Sequence, residues 1–173
     1  GGTLSNQGTI THTETGGLGI NNTGVLNNTG LYDFAGNGYV YYNNLDCCGP
    51  PQFNNFATVR KSAGTTTSSI ATIFNTTSGI IDVDAGILAL PGLNGSTLRD
   101  TTYQVATGTM VDLTSGSTFM NLTGLQSGSG GGRVELSSGQ INTSGAQLDF
   151  APGMFHWITG TMNVGSGGTS ITQ

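Results

Sequence analysis

The sequence predicts an all-β chain wound into a parallel β-solenoid of about seven or eight coils, with essentially no helix. Three observations predict it. Short runs of alternating apolar and polar residues recur along the chain, and glycine-containing turns part them at an even spacing. Asn and Thr also return at equivalent places, as they do when like residues stack on successive coils.

Taken in order, the first runs centre on Leu4, Ile10, Leu18-Gly19-Ile20, Val25-Leu26, Leu31-Tyr32-Asp33-Phe34 and Tyr39-Val40-Tyr41-Tyr42. Asn-Thr-Gly or Ala-Gly-Asn-Gly corners separate several of them, and Asn and Gly tolerate the left-handed backbone of tight corners. Residues 43–52 break the rhythm with Asn, Cys and Pro, and read as a loop protruding from a corner. Ile80-Ile81-Asp82-Val83-Asp84 and Ile87-Leu88-Ala89-Leu90 follow, then a smaller excursion over 91–101. In the second half glycines stand at 108, 116, 124, 132, 139, 145, 153, 160 and 167, a spacing of six to eight residues. Alternation there is of period two: Val134 and Leu136 face one way and Arg133 and Glu135 the other, so one face is buried and one wet.

A sandwich or barrel also uses many short strands, but its turns come every 8–12 residues, wider than seen here. Three faces per coil use about 20–24 residues, and at a strand spacing of ~4.8 Å the column is about 35–40 Å long. Residues 1–173 therefore read as one solenoid domain. No stretch carries helical spacing with caps.

Composition excludes several functions. Gly, Thr, Ser and Asn supply 87 of 173 residues, and charged residues only 8%. Four Lys and Arg with net charge -5 cannot make a basic footprint, so nucleic acid is not expected as a partner. No run reaches the about 18 apolar residues of a membrane-spanning helix, so no membrane insertion is expected. The adjacent Cys47 and Cys48 cannot form an ordinary long-range bridge with each other; a vicinal disulfide, an intermolecular one and the reduced pair all stay open.

Candidate chemistry is sparse. Asp82 and Asp84 share a face and form the one weak candidate for Ca²⁺, while Asp112, Glu135 and Asp149 read as a solvated stripe. No other cofactor or metal is expected. His12 and His156 lie far apart and read as wall residues, and no nucleophile elbow or phosphate loop is present. The threonines of Thr11-x-Thr13-x-Thr15 and Thr65-Thr66-Thr67 do not persist as rows. Tyr41 and Trp157 are the aromatic residues that could stack on sugar rings. Asn-x-Ser/Thr sequons begin at Asn21, Asn27, Asn75, Asn94, Asn121 and Asn142.

The segment Phe53-Asn54-Asn55-Phe56-Ala57-Thr58-Val59-Arg60-Lys61-Ser62-Ala63-Gly64-Thr65, with Phe74-Asn75-Thr76-Thr77-Ser78-Gly79 and Asp84-Ala85-Gly86-Ile87-Leu88-Ala89-Leu90, resembles repeats of giant secreted bacterial surface proteins: autotransporter passengers and filamentous-haemagglutinin-type adhesins. Tyr103 to Gly108 and Phe155-His156-Trp157 are written in the same style. Ala57 stands where such repeats often carry Gly, and the Cys-Cys-Pro-Pro loop has no counterpart there. The resemblance implies a right-handed parallel β-helix at the cell surface or outside the cell, serving as adhesin, fibre or stalk, with no active site to carry over.

The two ends point the same way. Gly168-Thr169-Ser170-Ile171-Thr172-Gln173 echoes Gly2-Thr3-Leu4-Ser5-Asn6-Gln7, and without an initiator Met the chain is expected to be a matured or excised piece. Open solenoid ends are sheet edges, and no capping helix, charged terminal coil or terminal Pro blunts them. The sequence-level expectation is a non-enzymatic filament or adhesin unit whose partners are copies of itself, stacked head to tail through Gly2, Thr3, Leu4 and Ser5 at one end and Thr169, Ser170, Ile171 and Thr172 at the other. The rival is a carbohydrate-binding or carbohydrate-cleaving β-helix, with glycans or cell surfaces as further partners.

Overall fold

The computed structural model describes residues 1–44, 48–116 and 119–172. Among them are 23 strands and no helix. The first coil is β1 (Thr3–Asn6), β2 (Thr9–His12) and β3 (Gly17–Asn21); the second is β4 (Val25–Asn28), β5 (Leu31–Phe34) and β6 (Tyr39–Asn43). The third is β7 (Gln52–Asn55), β8 (Thr58–Lys61) and β9 (Thr67–Ala71); the fourth is β10 (Ile73–Thr77), β11 (Ile80–Val83) and β12 (Ile87–Ala89). Next come β13 (Ser96–Arg99), β14 (Thr102–Val105) and β15 (Met110–Asp112), then β16 (Phe119–Thr123), β17 (Leu125–Ser129) and β18 (Arg133–Leu136). The seventh coil is β19 (Gln140–Asn142), β20 (Ala146–Phe150) and β21 (Phe155–Trp157), and the last is β22 (Thr161–Asn163) and β23 (Thr169–Thr172).

Every third strand pairs in parallel, which is the topology of a solenoid of about eight turns. The first sheet runs from β1 to β22 and the second from β2 to β23, with eight strands each; the third runs from β3 to β21 with seven. Of the loop expected at 43–52, Asn43 closes β6 and Gln52 opens β7, and residues 45–47 lie outside the described residues. The second break is narrower than the expected 91–101, because Ser96–Arg99 is a regular strand of the first sheet. Its side chains already alternate inward and outward, and buried Ser96 anchors the corner: its hydroxyl donates to Leu93 O at 2.9 Å and accepts from Phe74 N at 3.0 Å.

Alternation gives each sheet one buried row per coil. In the first sheet the register holds Leu4, Leu26, Phe53 and Phe74 in one inward row. Phe53 lies edge-on between Tyr32 and Phe74, with centroids 5.2 and 5.4 Å away. Farther along, Met120, Ile141 and Met162 continue the row. Such edge-to-face rings add to the area they bury.

Two asparagine ladders tie the coils together. Outside the first sheet, Nδ2 of Asn54 donates to Oδ1 of Asn27 and Nδ2 of Asn75 to Oδ1 of Asn54, both at 3.0 Å. Thr97 interrupts this row, its backbone N–H donating to Asn75 Oδ1; Asn121, Asn142 and Asn163 then resume it at 3.1 and 3.2 Å. Inside, at the corner of the first and second sheets, buried Asn6 donates to Asn28 at 2.6 Å and Asn28 to Asn55 at 2.7 Å. The same amides donate to corner carbonyls, Asn6 to Leu31 O and Asn28 to Thr58 O, so buried polar groups of the turns are satisfied. Four of the six sequon asparagines, Asn27, Asn75, Asn121 and Asn142, belong to the outer ladder. Their Asn-x-Thr/Ser pattern is thus the ladder residue, a buried residue and a corner residue in succession.

Candidate functional site

The acidic pair proposed for a cation stands on the outer face of the second sheet. There Asp33, Arg60 and Asp82 are register neighbours on β5, β8 and β11. Arg60 grips Asp33 with both arms, Nη2 to Oδ2 at 2.8 Å and Nε to Oδ1 at 3.3 Å. Burial works to raise the Asp33 carboxyl, but hydrogen bonds from Arg60 and Ser62 outweigh it and hold the group below the usual range. Asp82 goes the other way: burial and then the charge of Asp84 raise it, against the pull of Arg60. Among the described residues no group of three or more His, Cys, Asp or Glu side chains is gathered for a metal.

Opposite effects on stability follow. Asp33 binds its proton less readily folded than unfolded, so its contribution is present above the ordinary carboxyl pKa and lost as pH falls through the folded value. Asp82 binds its proton more readily folded, so its ionisation at neutral pH costs stability, and the cost disappears on acidification through its folded value. Asp33→Asn is expected to destabilise and Asp82→Asn to stabilise at pH 7, each by about 1 kcal/mol or less because the Arg60 that both face is one-third open to solvent, with both differences shrinking toward pH 3. Urea midpoints across that range check it; equal signs for the two variants would refute the assignment.

The stripe read as solvated does not hold: Asp112 and Glu135 are register neighbours on β15 and β18 and both are buried, while Asp149 stands on β20 of the second sheet. Asp112 Oδ1 accepts from Thr114 N at 3.1 Å and Ser137 Oγ at 2.7 Å, and Glu135 pairs with Arg133 at 3.1 Å. His12 reaches Gly16 O through Nε2 at 2.8 Å and the Tyr32 hydroxyl through Nδ1 at 3.2 Å, and its ring lies tilted against Phe34. His156 bonds Gly153 O, far from His12 in the column.

Sequence reading missed Lys61 as an inward residue. It is fully buried, in a row with Phe34 before it and Val83 after it. Its Nζ donates to Gly36 O at 2.9 Å, Ala63 O at 3.0 Å, Ser68 Oγ at 3.1 Å and Asn37 Oδ1 at 3.4 Å. Burial pushes the ammonium below its ordinary value. The signal was available: Lys61 follows Val59 by two residues, so alternation turns it inward.

The two aromatic candidates lie near opposite ends of the third sheet and do not form one platform. Tyr41 packs with Tyr39, centroids 5.5 Å apart, over the outer face of β3. There Gly17 and Gly19 leave the room: a methyl group at Gly17 would run into the Tyr39 ring, and at Gly19 into that of Tyr41. Trp157 stands beside Leu136 in register, and Leu136 is fully buried. Trp157 is exposed because β21 is the last strand of its sheet; its Nε1 donates to Gly160 O at 3.2 Å.

The ends carry the unexplained surface. β1, β2 and β3 edge the three sheets at one end, and β22, β23 and β21 at the other. Leu4, Trp157, Ile158, Val164 and Ile171, all in or beside the end coils, are 48% to 61% exposed, and among the described residues they are five of the eight large apolar residues that lie open. Leu4 stands opposite buried Leu26, and Ile171 opposite buried Leu148. They are core-type positions on the outermost strands of the described column. At the first coil Leu4, Leu18, Ile20 and Leu26 line an open mouth into the core.

Both sequence-predicted end segments lie on these edges, but in different sheets. Thr3–Asn6 is a strand of the first sheet and Thr169–Thr172 of the second, so the echo between Gly2–Gln7 and Gly168–Gln173 matches strands that do not occupy equivalent places. Gln173 and Cys47 lie outside the described residues, whereas Cys48 is exposed in its loop, with a positive φ of 72°. Compared with protein-family models, curated proteins and solved structures, the chain matches none.

Proposed function

We propose that the chain is a structural unit of an extracellular filament or surface adhesin, and that copies associate head to tail through the open ends of the column. The observation that carries this reading is the concentration of exposed core-type residues at both ends, on strands whose outer edges have no further strand beside them. Unblunted edges recruit more strands, and a contact between unlike ends propagates into an open fibre. The bulk of the first sheet's outer wall carries asparagine ladders that run from coil to coil along the column, as suits a structural unit. On this reading the role is non-enzymatic, and Trp157 belongs to the joint rather than to a sugar.

Leu4→Asp and Ile171→Asp test it. Each places a charge where apolar burial at the joint is worth about 1.5–3 kcal/mol, enough for a tenfold or greater loss of association. Sedimentation and negative-stain microscopy are expected to show concentration-dependent filaments for the parent chain and monomers for either variant, with unchanged circular dichroism. A parent chain that stays monomeric at high concentration would overturn the reading.

A further inference from the structure

We infer that the outer face of the first sheet, from the second coil to the seventh, is a track that binds a linear neutral polysaccharide laid along the column axis. The inference rests on the surface-adhesin half of the reading above, for which it names the ligand class, and it uses neither end of the column. Two outward rows make the face. One is the amide row, in which register aligns Asn27, Asn54, Asn75, Thr97, Asn121 and Asn142. The other is mixed: Val25, Gln52 and Ile73 are register neighbours on β4, β7 and β10, and Phe119 and Gln140 on β16 and β19. Coil five enters that row with Gly95, which adds no side chain, so the face divides into one pad on coils two to four and another on coils six and seven.

Three features set the chemistry of the ligand. Neither row holds a charged residue, and the charges at the end of β13, Arg99 and Asp100, pair with each other at 3.4 Å. A charged chain laid on this face would give up water with no counter-charge in return. Next, the amides are half spent. Nδ2 of Asn54 donates to Asn27 and its Oδ1 accepts from Asn75, while Asn75 donates to Asn54 and accepts from Thr97 N. A carboxamide has two N–H donors and two lone pairs, so each of these rungs keeps one donor and one acceptor for an outside partner. Hydroxyl groups, which both donate and accept, answer the pair. Third, Val25, Ile73 and Phe119 stand half-buried beside the rungs and offer apolar surface. A sugar ring has an apolar C–H face inside a rim of hydroxyls, and the two rows complement both parts. A groove beside the second pad, lined by Asn121, Asn142, Thr123 and Ser144, supplies further hydroxyls.

Extent decides for a polymer. Six coils span about 24 Å at ~4.8 Å per coil, and the two rows lie about 7 Å apart along each strand. That strip covers roughly 300 Å², well below the about 800 Å² per partner of a stable contact between proteins. It suits a narrow chain that touches many coils weakly, so that the contacts reinforce one another along its length.

Affinity electrophoresis in native gels containing hydroxyethyl cellulose, linear mannan or pullulan reads the track, with alginate as the acidic comparison. Retardation is expected in at least one neutral gel and not in alginate. Ile73→Ser combined with Phe119→Ser is expected to weaken it about fivefold or more, with unchanged circular dichroism. Gln52→Trp, at an exposed position between Val25 and Ile73, is expected to tighten it about threefold, a gain that misfolding cannot produce. Retardation by alginate alone, by none of the neutral polymers, or unaltered in these variants overturns the track. So does retardation that Tyr41→Ala or Trp157→Ala abolishes while the first-sheet variants keep it. Pairing of columns that the double variant abolishes, without retardation, makes the face a contact between copies and overturns the track as well. Filament formation is scored on the same samples. A chain that is retarded but forms no filaments leaves the track standing and removes the head-to-tail reading, and filaments without retardation do the reverse.

Discussion

Phe53→Ala is expected to lower the unfolding free energy by about 3–5 kcal/mol, the largest loss from any single truncation in the column. Phe53 has no exposed surface, and its ring is held between Tyr32 and Phe74 on neighbouring coils. The two strands that flank β7 are fixed in register by parallel pairing, so they cannot close over the space the ring vacates. The cost is therefore lost transfer energy plus a cavity. Because each coil is supported only by its neighbours, the damage should be local, with amide exchange quickening in coils two to four before the rest. Phe56, three residues on, is half exposed at a corner, and Phe56→Ala serves as the control with an expected change of about 0.5 kcal/mol or less. Equal urea midpoints for the two variants would refute the account of the core.

Lys61→Met is the second large effect, an expected loss of about 2–4 kcal/mol although the stem volume is kept. The ammonium is the partner of Ala63 O and shares Gly36 O with Ser68 Oγ and Asn37 Oδ1 with Thr66 N. Met removes these donations and leaves the part-buried Ala63 O facing an apolar sulfur in place of the ammonium. The pH dependence separates this from simple misfitting. Burial lowers the folded Lys61 pKa, so between that value and the ordinary one near 10.5 the unfolded chain holds more protons than the folded one. Stability of the parent chain then rises with pH in that window, and Lys61→Met lacks the rise. The comparison is made below about pH 10, because burial holds the phenols of Tyr32 and Tyr103 protonated when folded, and stability falls once the unfolded tyrosines ionise. A difference between parent and variant that stays flat from pH 7 to about 10 would show that Lys61 is not titrating in its cage.

Corners explain both the success and the limits of reading this chain linearly. The left-handed corner positions Ser78, Asp100 and Gly124 follow β10, β13 and β16, with φ of 54°, 49° and 64°. At Gly124 a side chain would also strike the Asp100 carboxylate, whose Oδ1 accepts from Leu125 N at 3.0 Å. Glycine and small polar residues at such corners are local requirements, and they made the rhythm legible. The number of residues per coil is not local. Ladder partners are 27 residues apart between Asn27 and Asn54 but 21 between Asn54 and Asn75, because the loop after β6 adds length without adding a strand. Counting along the chain loses its place at each such loop, so the match of the two termini fell on different sheets. The same uncertainty hid why Trp157 is exposed: alternation marks it as inward, and only its place on the last strand of the third sheet uncovers it.

What the sequence determined alone was the fold class, the inward sense of alternating apolar pairs such as Val134 with Leu136 and Leu148 with Phe150, and a composition too poor in Lys and Arg for a basic surface. Period-two alternation and turn chemistry act over two to five residues, and one chain contains that information completely. The tertiary structure decided which residues are neighbours across coils: the two ladders, the caged lysine, the glycine bed under Tyr39 and Tyr41, and the seven-strand sheet beside two of eight. Those follow from the register of one turn on the next, which is set by how whole coils pack and how much chain each corner absorbs.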